Sequence, residues 1–390
     1  MLSSAIVPAV DQDNCVYICF HPKLTVPKVE VSSIGDYLME SIYYVMSWLC
    51  HRSCEHCYED RFRPYYGAEL AAVVAESVTK MPRIIDHLPP RMTYLDRKDP
   101  DGAGGYREKP GSVILAGGEI LLDAVREPVL YAGIERLQRR YRGRGGVKII
   151  VQTTGDVLTR RIAGELKELG VWMVSVSGLD HYHAGLETAA AREALREKCR
   201  GILEEAGFEF LNKVAEQGRE AADEGHYFHF FGATPDLWIG KLWPRGRAWR
   251  HGLSTAGIED NFCHQWSGGV NFLETRYSGG EVSIDPRGDV FPCCVKTKRP
   301  VGNVAERPLE EILNALRGNA VYEAIHAGRP ERMGLAHGWS EEKFREKSRV
   351  SLAKGEIYEN LCIGCDAFHD EVLGAAELVK ISGVGSGDKS

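Results

Sequence analysis

The sequence has no long apolar run. Its apolar stretches, such as Ser112 to Leu122, are broken by glycine and charge within a few residues, so no membrane-spanning segment is expected. It also lacks an excess of positive charge: 48 Lys and Arg stand against 55 Asp and Glu, a formal net charge of −7. A dedicated binder of nucleic acid or of an anionic membrane should carry a basic footprint. Neither partner is therefore expected. The N-terminal MLSSAIVPAVDQDN lacks the basic start and unbroken apolar core of a secretory signal, which predicts a cytoplasmic protein. Internal repeats are absent, and low complexity is confined to the short GVGSGDKS tail. With 44% hydrophobic and 26% charged residues, wholesale disorder is excluded. A length of 390 residues suggests two domains, or one enlarged barrel with an extension.

What the sequence does hold is cysteine. There are eleven, an odd number without an export signal, and this fits metal or redox chemistry better than a disulfide framework. Cys50, Cys54 and Cys57 form one group, Cys293 and Cys294 another, Cys362 and Cys365 a third. Cys15, Cys19, Cys199 and Cys263 stand alone, and of these Cys15, Cys19 and Cys199 read as small buried hydrophobes.

From about residue 41 the chain alternates β-branched apolar runs with helical patterns, which predicts βα units and a parallel sheet. Strands are expected at 41–49, 112–117, 147–153, 171–177, 208–211 and 226–231, and helices at 158–169 and 186–206. Residues 90–112, rich in glycine, proline and charge, read as a long surface loop. After Arg250 the βα rhythm stops, turn signals follow over 263–300, and helical stretches are expected near 308–317 and 340–355. The expected division is an extension over 1–40, a barrel over 41–250, a smaller domain over 251–370 and a tail over 371–390.

Cys50-x3-Cys54-x2-Cys57 follows directly on the first strand, where barrels of this kind collect their chemistry. Three thiolates without a fourth nearby can hold three irons of a four-iron cluster and leave one iron open to an outside ligand. A zinc site completed by His51 or His56 is the alternative, although structural zinc needs a closed fourth position. The motif resembles the signature of the radical S-adenosylmethionine (SAM) superfamily, with His56 standing where an aromatic residue is usual. The resemblance extends to later strand ends: Gly117-Gly118-Glu119 to a GGE motif, Thr153-Thr154-Gly155 to a TNG-like turn, and Pro244-Arg245-Gly246-Arg247-Ala248 to a GRA turn. It implies a partial (β/α)6 TIM-like barrel of α/β class and a [4Fe-4S] cluster on Cys50, Cys54 and Cys57. It also implies SAM contacts from Gly117, Gly118, Glu119, Thr154, Ser175, Ser177 and Arg247.

In the C-terminal part, Cys263, the Gly288-x4-Cys293 hairpin and Cys362-x2-Cys365 supply four thiolates able to staple a small domain. This resembles the α+β SPASM/twitch extensions of the same superfamily and implies one auxiliary [4Fe-4S] cluster, with a four-cysteine zinc site as the alternative. Neighbouring strand residues point to opposite faces, so Cys293 is expected as the ligand and Cys294 turned away. Catalytic candidates are few: Cys294 as a hydrogen-atom donor, and Asp180 and His183, although the segment Asp180 to His183 reads first as a loop cap rather than a substrate contact.

The resemblance therefore implies an enzyme that cleaves SAM reductively and oxidatively modifies a small natural-product-like molecule or a peptide. Its electrons would come from a flavodoxin- or ferredoxin-like donor. A redox-neutral epimerase or mutase is one alternative, and a non-catalytic zinc scaffold another.

Overall fold

The computed structural model describes residues 37–211, 222–265, 268–352 and 355–374. Expectations for Cys15, Cys19, most of the N-terminal extension and nearly all of the tail lie outside these residues. The first strand, β1 (Ser41–Ser47), is buried at every position, as a parallel strand covered on both faces must be. A hairpin of β2 (Thr93–Pro100) and β3 (Tyr106–Pro110) precedes β4 (Ser112–Gly117). Next come β5 (Lys148–Thr153), β6 (Met173–Val176), β7 (Glu209–Phe210), β8 (Tyr227–Gly232) and β9 (Trp238–Ile239). Crossover helices Gly67–Asp86, Ala132–Tyr141, Arg160–Glu168 and Ala189–Glu205 separate the parallel strands. The last two begin where Thr159 and Thr188 accept the Ile162 and Ala191 amides, an N-cap that satisfies otherwise orphaned donors.

Three further strands, β10 (Glu281–Ile284), β11 (Asp289–Phe291) and β12 (Gly302–Asn303), complete a ten-stranded sheet. Its order is β12-β11-β10-β1-β4-β5-β6-β8-β7, with β9 also paired to β8. Every pairing from β10 through β8 is parallel, and only β11 and β12 run antiparallel, at one edge. The sheet is open, and the fold is mixed α/β, as expected. The strands on either side of the ladder do not pair with each other among the described residues, so the path does not close.

Three expectations need correction. Residues 90–112 are not a loop: β2 and β3 pair as a hairpin, closed by the Asp101 side chain, which accepts the Ala103 and Gly105 amides. An Asx-type turn of this kind makes glycine- and charge-rich sequence part of a ladder. The helix near 340–355 stops at Lys347, and Arg349–Ser351 pairs instead with Ile357–Glu359. Most consequential, the chain after Arg250 returns to the sheet, where β10 lies parallel beside β1. One hydrophobic core accordingly runs from Tyr44 and Val151 to Phe272, Ile312 and Phe368, and the described residues form one compact unit.

Candidate active site

The C-terminal ends of β1, β4, β5 and β6 open on a cavity of about 550 Å³, inside the range of roughly 300–1,000 Å³ usual for small-molecule sites. Cys50, Cys54 and Cys57 line it. Their loop is held from three directions. The Arg247 guanidinium donates to the carbonyls of Cys54 (2.8 Å), Asp60 (2.9 Å) and Phe62 (2.7 Å). The Ala248 amide reaches the Cys57 carbonyl at 3.2 Å. On the opposite side, Asp156 accepts from Arg52 at 2.6 Å and pairs with His51 at 2.7 Å. Burial alone would raise the Asp156 carboxyl, but hydrogen bonds from His51, Thr154 and Arg52 outweigh it and hold the group well below its ordinary value.

The predicted SAM-contact residues divide into two sets. Gly117, Gly118, Thr154, Ser175, Ser177 and Arg247 all line the cavity. Glu119 does not. Its buried carboxylate takes both hydroxyls of Thr153 and Thr154 and the amides of Leu121 and Thr154, at 2.7–3.0 Å. It is a bracket behind the wall that fixes where Thr154 stands. The glycines also have a structural reason: a Cβ on Gly118 would run into the Leu49 carbonyl and the Cys50 side chain. The cysteine loop occupies that space, and the close approach is made by the protein's own chain. Arg247, likewise, has its guanidinium committed to loop carbonyls.

Ser175 pairs with His229 at 2.7 Å, both buried. Sequence reading missed His229, although its inward position on an otherwise apolar strand, two residues from Phe231, was the available signal. Asp180 and His183 line the cavity and bond at 2.8 Å. Burial pushes Asp180 up, but the bond from His183 prevails and lowers it. His56 lies between them and Tyr182, and burial with His183 beside it lowers its imidazole to about 4.

Cys263, Cys293, Cys362 and Cys365 line a second, smaller cavity. Each arrives by a local rule. Gly288, at φ +91°, closes the hairpin in which Asp285 accepts the Arg287 and Asp289 amides. Its absent side chain leaves room for Ala305. Asn360 caps the helix Leu361–Phe368 through the Cys362 amide at 2.9 Å. The i,i+3 spacing then sets Cys362 and Cys365 on one helix face. Arg245 reaches Asp366 at 2.9 Å and the carbonyls of Val295 and Cys362. Although burial opposes its charge, Asp366 and the surrounding thiols keep it protonated. Cys294 lines the larger cavity, beside Tyr43 and Glu281. Cys199 is fully buried against Gly155, apart from both cavities.

Burial raises all seven candidate ligand thiols, Cys50 and Cys293 to about 12 and Cys57 to about 11. Thiols so placed ionise when bound metal supplies positive charge. Among the described residues no three of these sulfurs lie within 4.8 Å of one another. Four sulfurs about 2.3 Å from one tetrahedral zinc would sit roughly 3.8 Å apart. The all-sulfur donors of both sets suit iron–sulfur clusters.

Comparison with known proteins agrees at the C-terminal segment. Residues 276–320 match the family model of SPASM, an iron–sulfur cluster-binding domain. The matched segment contains β10, β11 and β12. No curated protein matches the chain. Among solved structures, it is similar to BtrN in complex with AdoMet and 2-DOIA, at 16% identity over 78% of this chain and 92% of that one, TM-score 0.39. It is similar to anSMEcpe with bound AdoMet, at 13% identity over 88% and 99%, TM-score 0.39. A third is SuiB of Streptococcus suis bound to precursor peptide SuiA, at 11% identity over 78% and 74%, TM-score 0.39. These likenesses are loose. Among the described residues no helix is long and apolar enough to cross a membrane.

Proposed function

We propose that this chain is a radical SAM enzyme that oxidatively modifies a small natural-product-like molecule or a peptide. The observation that carries the reading is one cavity lined by the three-cysteine loop and by the ends of β4, β5 and β6. Cys50, Cys54 and Cys57 would hold a four-iron cluster with one open iron. The cluster, when bound, supplies the electron that cleaves SAM to a 5′-deoxyadenosyl radical able to abstract a substrate hydrogen atom.

The chain's own residues supply position. Gly117, Gly118, Thr154, Ser175 and Ser177 offer backbone and hydroxyl groups along the wall where SAM would lie. Arg247, Ala248 and Asp156 hold the cysteine loop still, so that a cluster and a ligand keep one geometry. Cys263, Cys293, Cys362 and Cys365 would hold the auxiliary cluster, which suits net oxidation because it can accept an electron from a product radical. A small donor of the flavodoxin or ferredoxin type would reduce the enzyme.

A redox-neutral epimerase is the second reading, and the placement of Cys294 favours it. Its half-buried thiol lines the larger cavity, where a weak S–H bond could return a hydrogen atom to substrate. The decisive test of the class is anaerobic: dithionite and SAM with wild type should yield 5′-deoxyadenosine, and Cys54→Ala should yield none. Equal release from the variant would defeat the assignment.

A further inference from the structure

We propose that His56, Asp180 and His183 form a site for one divalent first-row transition ion inside the larger cavity, distinct from both cysteine sets. The three donor atoms lie within 4.8 Å of one another, and no other trio of histidine, cysteine or acidic residues does so among the described residues. The separations are 2.8 Å from His183 Nδ1 to Asp180 Oδ1 and 3.8 Å from His56 Nε2 to the same oxygen. Donors about 2.0–2.2 Å from one ion sit roughly 3.0–3.5 Å apart, so small rotations would bring this set onto a common centre.

All three groups are largely buried, at 12%, 2% and 8% exposure of the side chain, and all three line the cavity. An Asp–His dyad alone would account for His183. His56 stands outside that dyad, stacked on Tyr182. The His56–Asp180 separation exceeds hydrogen-bond range, and Nδ1 of His56 has no hydrogen-bond partner. The carboxylate is fixed by the Tyr182 amide on Oδ1 at 3.1 Å and the Ala233 amide on Oδ2 at 3.4 Å, the kind of support that orients metal ligands elsewhere. Two imidazoles and one carboxylate, with open positions toward a cavity, form the donor set that binds Fe²⁺ and related ions. Here the open positions would take an oxygen of the substrate.

The ion also joins the cysteine loop, through His56, to the loop after β6. Its binding needs neither SAM nor turnover, so this site can fail while the radical reading stands, and the reverse. The test is equilibrium dialysis of the anaerobically purified full chain against Mn²⁺ and, separately, Co²⁺. Mn²⁺ is the cleaner probe because thiolates bind it poorly. Wild type should retain one ion more per chain than Asp180→Ala. His56→Phe, which restores an aromatic residue beside Cys57, should weaken retention by about tenfold or more while keeping the iron content. If Asp180→Ala fails to fold, His56→Phe carries the test. Equal retention of both ions by wild type and His56→Phe, or no retention of either by wild type, overturns the site.

Discussion

The two cysteine sets are assembled on different length scales. Cys50, Cys54 and Cys57 belong to one short loop, and the fold needs only to clamp that loop through Arg247 and Asp156. Cys263, Cys293, Cys362 and Cys365 come from a turn, a hairpin and a capped helix, and no local segment brings them together. The first opens on a cavity and the second is closed in by Arg245 and Asp366. Openness suits a site that must admit a ligand; closure suits one that must stay bound. The neighbouring arginines make the contrast concrete, since Arg247 serves the first set and Arg245 the second.

The largest effect that would sharpen this comparison is the loss of a whole cluster. Cys365→Ala should lower iron by about half from roughly eight per chain, while 5′-deoxyadenosine release without substrate remains measurable. Because β10 pairs with β1, loss of all iron would show that the closed site supports the open one.

A smaller effect is expected at the bracket. Glu119→Gln places an amide opposite hydroxyl and amide donors that now converge on a carboxylate, and should cost about 2–3 kcal/mol in denaturant unfolding. An unchanged midpoint would remove Glu119 as an organiser of Thr154.

The clamp on the open loop should be sensitive to acid. The Asp156 carboxyl is depressed in the folded state, so its stabilisation is complete above its ordinary value near 3.8 and is lost as pH falls toward the folded value. Between about pH 5 and pH 3, wild type should therefore lose stability more steeply than Asp156→Asn. Parallel slopes would count against the clamp.

The smallest change concerns Cys294. Cys294→Ala should keep full iron content, whereas Cys293→Ala should lose the auxiliary cluster. The reverse result would exchange the two neighbours between the cavities.

Much of this was legible in the residues. The strand at 112–117 needed no revision, because its unbroken apolar run marks a strand inside a parallel sheet. The open cysteine loop was legible because its spacing is local. The hairpin at β2 and β3 was not, because Asp101 reverses the chain with a side-chain hydrogen bond that composition does not show. The triad of His56, Asp180 and His183 was not legible as a unit either. The pair three residues apart was visible, but the third member lies on another loop.

By itself, then, the sequence determined whatever depends on neighbours in the chain: strand and helix periods, the thiol spacing of the first set and the i,i+3 pairing of Cys362 with Cys365. Tertiary structure decided the rest. It returned β10 to the side of β1 and turned Glu119 away from the cavity. It drew His56 to Asp180. Each of these depends on which distant segments share a core, and burial is rewarded only once those segments meet.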